Sequence, residues 1–179
     1  MPLLAAAHPV CRGMSVTLDA TRVAGSLAFG AAALACLRAA RVAPRGRVLW
    51  WVLGTVQLFC VLEVLFALRY ELHDIATGLL QEHRWYASRG QWQAELLGTG
   101  LALIAAIAGW AAWRHRDDGA RTAALAGTAL GVSVLGAETI SLHRIDALMY
   151  SQAGPFVVVV WLWLAAALVV VAAALAQRR

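Results

Sequence analysis

Lysine is absent from this chain of 179 residues, so all fifteen of its basic side chains are arginine. Cysteine is scarce as well: Cys11, Cys36 and Cys60 stand apart, with no Cys-x-x-Cys pair. This spacing argues against a cysteine-based zinc site, an iron–sulfur site or covalent haem attachment. Charged residues make up only 14% of the chain, whereas hydrophobic residues make up 61%. Such a composition is typical of membrane proteins and not of soluble globular domains.

The net charge of +5 does not predict a nucleic-acid partner. The arginines are dispersed between apolar segments, where they act as topology signals, and the partner that the composition indicates is the lipid bilayer. The first thirteen residues lack the basic start and long apolar region of a cleaved signal peptide. Met14 is therefore an alternative to Met1 as the true start of the protein.

Five apolar segments are long enough to cross a bilayer core of about 30 Å, which takes roughly twenty helical residues. They lie near residues 16–37, 48–68, 96–113, 122–142 and 155–176. The sequence therefore predicts an all-α integral membrane protein, a single domain over residues 1–179 built as a bundle of five transmembrane helices.

The fourth of these segments contains two glycines four residues apart, Gly127 and Gly131. At this spacing both lie on one face of a helix and leave a flat stripe, on which another helix can pack closely. We expect this stripe to mark a helix–helix contact within the bundle.

Residues 69–95, between the second and third spans, are too polar to cross a membrane. Their apolar residues Ile75, Leu79, Leu80 and Trp85 recur at helical spacing. This pattern predicts an amphipathic segment that lies in the membrane interface, either as a cap on the bundle or as a lid over a pocket.

Three arginine-rich stretches follow the first, third and fifth predicted spans. They contain Arg38, Arg41, Arg45 and Arg47, then Arg114, Arg116 and Arg121, and finally Arg178 and Arg179. The positive-inside rule places all three in the cytoplasm, so the N-terminus is expected outside and the C-terminus inside a bacterial-type inner membrane. The outer side then carries eight of the ten acidic residues.

Two acidic residues, Glu63 and Glu138, lie within the apolar spans themselves. A carboxylate inside a bilayer is costly unless it is paired, wetted or protonated, so each one is a candidate functional residue. Each of them is followed, at the same spacing, by an arginine and then a second acid. This short internal echo predicts that both lie at similar depth. The predicted polar cluster at the outer end comprises Glu63, Arg69, His73, Asp74, Glu138, His143, Arg144 and Asp146.

The first interpretation of this cluster is a structural brace. Pairing of Glu63 with Arg144, and of Glu138 with Arg69, would satisfy both intramembrane acids. The protein would then be an accessory or assembly subunit of a larger membrane complex, or would form a homo-oligomer.

Two alternatives stay open on the sequence. His73 and His143 could ligate a b-type haem or a single transition-metal ion, as histidines from two helices do. The cluster could instead form an outward-facing pocket that binds or transports a lipid or small molecule, with Gln57 continuing a polar path inward. The sequence does not decide whether the protein is an enzyme, and it indicates no catalytic residue.

Overall fold

The computed structural model describes residues 19–43, 46–68, 75, 78, 89–140 and 143–177, and at Arg89, His143 and Arg144 it describes the main chain alone. The elements in chain order are α1 (Ala20–Val42), α2 (Arg47–Phe66), α3 (Arg89–Arg114), α4 (Gly119–Ile140), α5 (His143–Met149), β1 (Gln152–Ala153), β2 (Phe156–Val157) and α6 (Val158–Ala176). Five of the helices, α1 to α4 and α6, are long and apolar enough to cross a membrane. The predicted all-α membrane bundle is therefore confirmed.

The first helix lies further along the chain than its predicted span. Asp19 caps α1, because its carboxylate accepts a hydrogen bond of 2.7 Å from the main-chain N–H of Arg22. At the other end α1 continues past Arg38 and Arg41 to Val42. Long arginine side chains reach the interface from such positions, so their charge does not end the helix.

The third helix begins seven residues before its predicted apolar span. Its first turns are polar, and the Gln91 side chain donates a hydrogen bond of 2.8 Å to Glu95. Side chains four residues apart on a helix are neighbours, so this pair supports helical structure outside the apolar window.

The last helix begins at Val158, three residues later than predicted, because a small hairpin precedes it. Strands β1 and β2 are antiparallel, with Ala153 opposite Phe156. Gly154 supplies the positive φ of 70° that the turn requires. The hairpin is fastened to α6 by the indole N–H of Trp161, which donates to the carbonyl oxygen of Ala153 at 2.7 Å.

Helices α1, α2, α4 and α6 form the centre of the bundle. Helix α1 packs against α2 and α6, and α4 packs against α6 and, more loosely, against α2. Helix α3 lies against α4 at the edge of this group. Over residues 90–114, Leu97 is the one buried side chain of α3.

Aromatic and small residues fill the contact between α1 and α6. The rings of Phe29 and Trp163 are 6.3 Å apart and tilted by 54°. Gly25 makes room for the same tryptophan, since a Cβ at this position would lie 2.7 Å from a ring carbon of Trp163. The two helices run in the same direction through the bundle, which makes them parallel neighbours.

Two of the arginine-bearing connections meet at one end of the bundle, which we call the arginine end. Gly46 precedes α2, and a Cβ there would lie 2.6 Å from the guanidinium carbon of Arg121 on α4. Arg121 also forms a 3.1 Å ion pair with Asp118. The opposite end, which we call the carboxylate end, contains Glu63 and Glu138.

The predicted amphipathic segment over residues 69–95 is described only in part. Ile75 and Gly78 are helical and exposed, and the last residues of the segment belong to α3. The remaining residues, including Leu79, Leu80 and Trp85, lie outside the described part of the chain.

Candidate functional site

Buried polar side chains in the described residues are confined to two helices. They are Gln57 and Glu63 on α2, and Thr128 and Glu138 on α4. These helices are neighbours, but they pack more loosely against each other than the other neighbouring pairs of long helices do. We call the interface between α2 and α4 the polar seam, because these two helices contribute all four residues.

The centre of the polar seam is a hydrogen bond between the two helices. The Gln57 side-chain nitrogen donates to the Thr128 hydroxyl oxygen at 3.0 Å, and both side chains are buried. A hydrogen bond in this apolar interior is not weakened by competition with bulk water. It therefore links α2 to α4 at a level where few apolar contacts do so.

The two carboxylates lie at different distances from this hydrogen bond. Glu63 is six residues beyond Gln57, and Glu138 is ten residues beyond Thr128. At a rise of 1.5 Å per residue these separations are about 9 Å along α2 and about 15 Å along α4. Because the helices are parallel, this register sets Glu138 about one turn further along, whereas the sequence echo placed both acids at similar depth.

Glu138 receives a hydrogen bond from a residue beyond the end of its own helix. The Tyr150 hydroxyl donates to Oε1 of Glu138 at 2.8 Å. Tyr150 continues the last turn of α5, since its main-chain N–H bonds to the carbonyl of Asp146 at 2.9 Å. Glu138 is only 6% exposed and Tyr150 is 43% exposed, so the tyrosine connects a buried carboxylate with the surface of the bundle.

Sequence reasoning did not pair Tyr150 with Glu138. The contact spans twelve residues and depends on how α5 is set against α4, which helical spacing alone does not encode. The available signal was a tyrosine close in sequence to an intramembrane acid, since a buried carboxylate needs a donor.

Glu63 lies three residues before the end of α2 and is 6% exposed. Its main-chain carbonyl accepts a 2.7 Å hydrogen bond from Ala67, which adopts the left-handed conformation with φ 51°. Only glycine adopts this conformation without cost, so the end of the helix is held by its surroundings. The carboxylate of Glu63 is thus placed within the last turn of α2, at the carboxylate end of the polar seam.

The other predicted site residues are described to different extents. Asp146 is half-buried on α5, and His143 and Arg144 lie on the same short helix by their main chain. Arg69, His73 and Asp74 lie outside the described residues. The pairing of Glu63 with Arg144 and of Glu138 with Arg69, and the use of His73 and His143 as metal ligands, therefore stay predictions.

The chemistry of the described site is hydrogen bonding across helices. An amide, a hydroxyl and a phenol each contact a group on a neighbouring element at 2.8 to 3.0 Å. Within the described residues, no three histidine, cysteine, aspartate or glutamate side chains gather closely enough to hold a metal ion. Comparison of the chain with protein-family models, with curated proteins and with solved structures finds no match.

Proposed function

We propose that this chain is a small polytopic membrane protein with an accessory or assembly role, in which the polar cluster braces the carboxylate end of the bundle. The observation that carries the proposal is the hydrogen bond from Tyr150 to Glu138. An acid within an apolar span would be destabilising if left alone, and here the chain itself supplies a donor.

The polar seam supports the same role. Glycines allow α4 to approach α6 closely, whereas α4 and α2 pack less closely. The hydrogen bond between Gln57 and Thr128 joins these two helices where apolar packing is weakest. Buried polar side chains therefore compensate for looser packing, which is a structural use of them.

An accessory role also needs a surface for a partner in the membrane. Helix α3 lies at the edge of the bundle and exposes large apolar side chains: Trp92, Leu96, Leu103, Ile107, Trp110 and Trp113. We propose that lipid and a larger membrane complex, or a second copy of the chain, meet this side of the protein.

For the orientation we propose an N-terminus outside and a C-terminus in the cytoplasm of a bacterial-type inner membrane. The contact between Gly46 and Arg121 supports this orientation, because it brings two arginine-bearing connections to one end of the bundle. The positive-inside rule assigns such an end to the cytoplasm.

A double-mutant cycle on the detergent-purified protein tests the bracing role. Tyr150→Phe and Glu138→Ala should each lower the melting temperature, because each removes one partner of the hydrogen bond. We expect a coupling free energy of about 1 kcal/mol, the typical net contribution of an intramolecular hydrogen bond. Glu95→Ala is the control, since Glu95 bonds to Gln91 on the exposed side of α3 and its loss should change little.

Unchanged melting temperatures in both the Tyr150 and the Glu138 variant would contradict the bracing role and favour a ligand pocket. The absorption spectrum of the same sample, oxidised and then reduced with dithionite, tests the redox alternative. A Soret band that sharpens on reduction would make His73 and His143 the first haem ligands to examine, and elemental analysis would detect a non-haem metal.

A further inference from the structure

Two buried polar atoms of α2 form no hydrogen bond with any residue that the structure describes. They are Oε1 of Gln57, an acceptor, and Nε1 of Trp50, a donor. Their side chains are 2% and 0% exposed. The residues are seven positions apart, nearly two helical turns, so both lie on the same face of α2. Helical side chains lean toward the N-terminus of their helix, which brings the Gln57 amide toward Trp50.

The described residues around Gln57 do not satisfy its amide fully. The amide nitrogen is already engaged by Thr128 at 3.0 Å. Rotating the amide by half a turn would let the Thr128 hydroxyl donate to the oxygen, but the nitrogen would then be the atom without a partner. A buried amide left in this state costs free energy, so a further hydrogen-bonding group is expected beside it.

The polar seam is also the least closely packed interface of these two helices. Toward α1, a Cβ at Gly54 of α2 would lie 3.4 Å from the Cβ of Cys36, so α1 and α2 are in direct contact. Toward α6, a Cβ at Gly127 of α4 would lie 2.9 Å from the carbonyl oxygen of Ala166. Helices α2 and α4 show looser packing than either of these pairs.

Buried polar residues recur from this position toward the carboxylate end. Tyr150 is partly exposed and bonds to the buried Glu138, and Glu63 lies between that level and Gln57 along the seam. Internal water in proteins occupies such places, where two to four polar groups line a space too polar to stay dry.

We propose that the polar seam binds a short file of water molecules, which runs from Glu63 and Glu138 to the Gln57 amide. At its inner end a water donates a hydrogen bond to Oε1 of Gln57 and, directly or through a second water, accepts one from Nε1 of Trp50. This hydration does not depend on the bracing role, since a brace can be dry or hydrated.

Two native thiols provide a test with a matched control. Cys60 lies three residues from both Gln57 and Glu63, on the buried side of α2, whereas Cys36 lies on α1 against Gly54. Both thiols are buried and free. The two thiols are therefore alike in being buried, but only Cys60 borders the polar seam.

The experiment follows the infrared S–H stretching bands after the full-length protein in lipid nanodiscs is transferred to D2O. A Cys11→Ser background removes the third thiol, and Cys36→Ala and Cys60→Ala assign the two remaining bands. We expect the Cys60 band to be lost to its S–D counterpart while the Cys36 band persists. Gln57→Leu should slow the exchange at Cys60, because it removes the acceptor that holds the inner water.

Two outcomes would overturn the proposal. Equal persistence of both bands would show a dry seam, and equal loss of both would show that water reaches the α1–α2 contact just as readily. The comparison of the two thiols needs no change in the seam itself, so it stands even if Gln57→Leu does not fold. A dry seam would leave the double-mutant cycle on Tyr150 and Glu138 unaffected, so the two proposals fail separately.

Discussion

The two faces of α4 make contrasting contacts with their neighbouring helices. Toward α6, Gly127 removes the side chain altogether, so that a Cβ there would lie only 2.9 Å from the Ala166 carbonyl oxygen. Toward α2, the next residue, Thr128, accepts a hydrogen bond from Gln57 across a looser interface. Lipid is as apolar as leucine, so helices in a membrane associate through close packing and hydrogen bonds. Gly127 and Thr128 are adjacent on one helix, but the first allows close packing and the second forms a hydrogen bond.

The two faces should therefore respond differently to substitution. The glycine face tolerates no added volume, because its nearest neighbour is the main chain of Ala166, which cannot change rotamer as a side chain can. The polar face has more room, but it loses stability when one hydrogen-bonding partner is removed and the other is left buried.

The largest effect is expected from Gly127→Leu. The new side chain would meet the main chain of Ala166 as well as Val169 and Val170, so α4 and α6 must separate. We expect a loss of about 3 kcal/mol or more, the upper range for overpacking, or failure to obtain a folded protein. Thermal denaturation and size-exclusion chromatography in detergent measure it.

The matched control for that substitution is Gly136→Leu on the same helix, where no described residue of a neighbouring element lies within 4 Å of an added Cβ. Its melting temperature should stay near that of the native protein. Equal losses at the two glycines would show that the close approach to Ala166 is not what matters.

A smaller effect is expected from Thr128→Val, which keeps the shape of the side chain but removes the hydroxyl. The Gln57 amide nitrogen would then be buried without its acceptor, at a cost of about 1–3 kcal/mol. Thr139→Val is the control, because the Thr139 hydroxyl bonds to the Leu135 carbonyl within its own helix at 2.9 Å. A comparable loss in both variants would contradict an inter-helix role for Thr128.

Combining Thr128→Val with Gln57→Leu should recover most of the stability lost by Thr128→Val alone. Replacing both partners leaves neither polar group unsatisfied, and such pairs can be nearly neutral, within about 1 kcal/mol of the native protein. Chemical denaturation of the single and double variants measures the recovery. A double variant less stable than Thr128→Val would show that the amide makes other essential contacts.

The smallest effect is expected at an exposed hydrogen bond, between Trp161 and the Ala153 carbonyl of the hairpin. Trp161→Phe removes the indole N–H, and we expect a loss of about 0.5 kcal/mol, the low end for such bonds. The control is Trp110→Phe, which changes an exposed residue of α3. If Trp161→Phe loses as much stability as Thr128→Val, burial does not determine how much these hydrogen bonds contribute to stability.

The sequence predicted the five spans because apolar length is a direct physical requirement of the bilayer. It was less accurate at their ends. Helix α1 runs through Arg41 and α3 starts before Gln91, since main-chain hydrogen bonding continues where the hydropathy signal stops. The hairpin before α6 was missed because Phe156 and Val157 fit an apolar helix as well as a strand, although Gly154-Pro155 is a common turn signal.

The sequence predicted which residues belong to the site but not which of them contact each other. The intramembrane position of Glu63 and Glu138 followed from the apolar residues around them, and the structure buries both. The glycine pair of α4 marked a close contact correctly, with α6 beside Gly127 and Phe29 of α1 nearest to Gly131. The bonds of Gln57 with Thr128 and of Tyr150 with Glu138 depend on which helices are neighbours and in what register, which one sequence does not specify.

The parallel contact between α1 and α6 has a consequence for how the protein is made. Gly25 and Phe29 emerge from the ribosome early, but their partner Trp163 is more than 130 residues further on. At the synthesis rates of about 5–20 residues per second, α1 waits on the order of ten seconds before α6 arrives. During that interval the unfilled side of α1 faces lipid or the insertion machinery. The arrival of α6 therefore fills this side of α1, and the order of synthesis places that step after α2, α3 and α4 have been made.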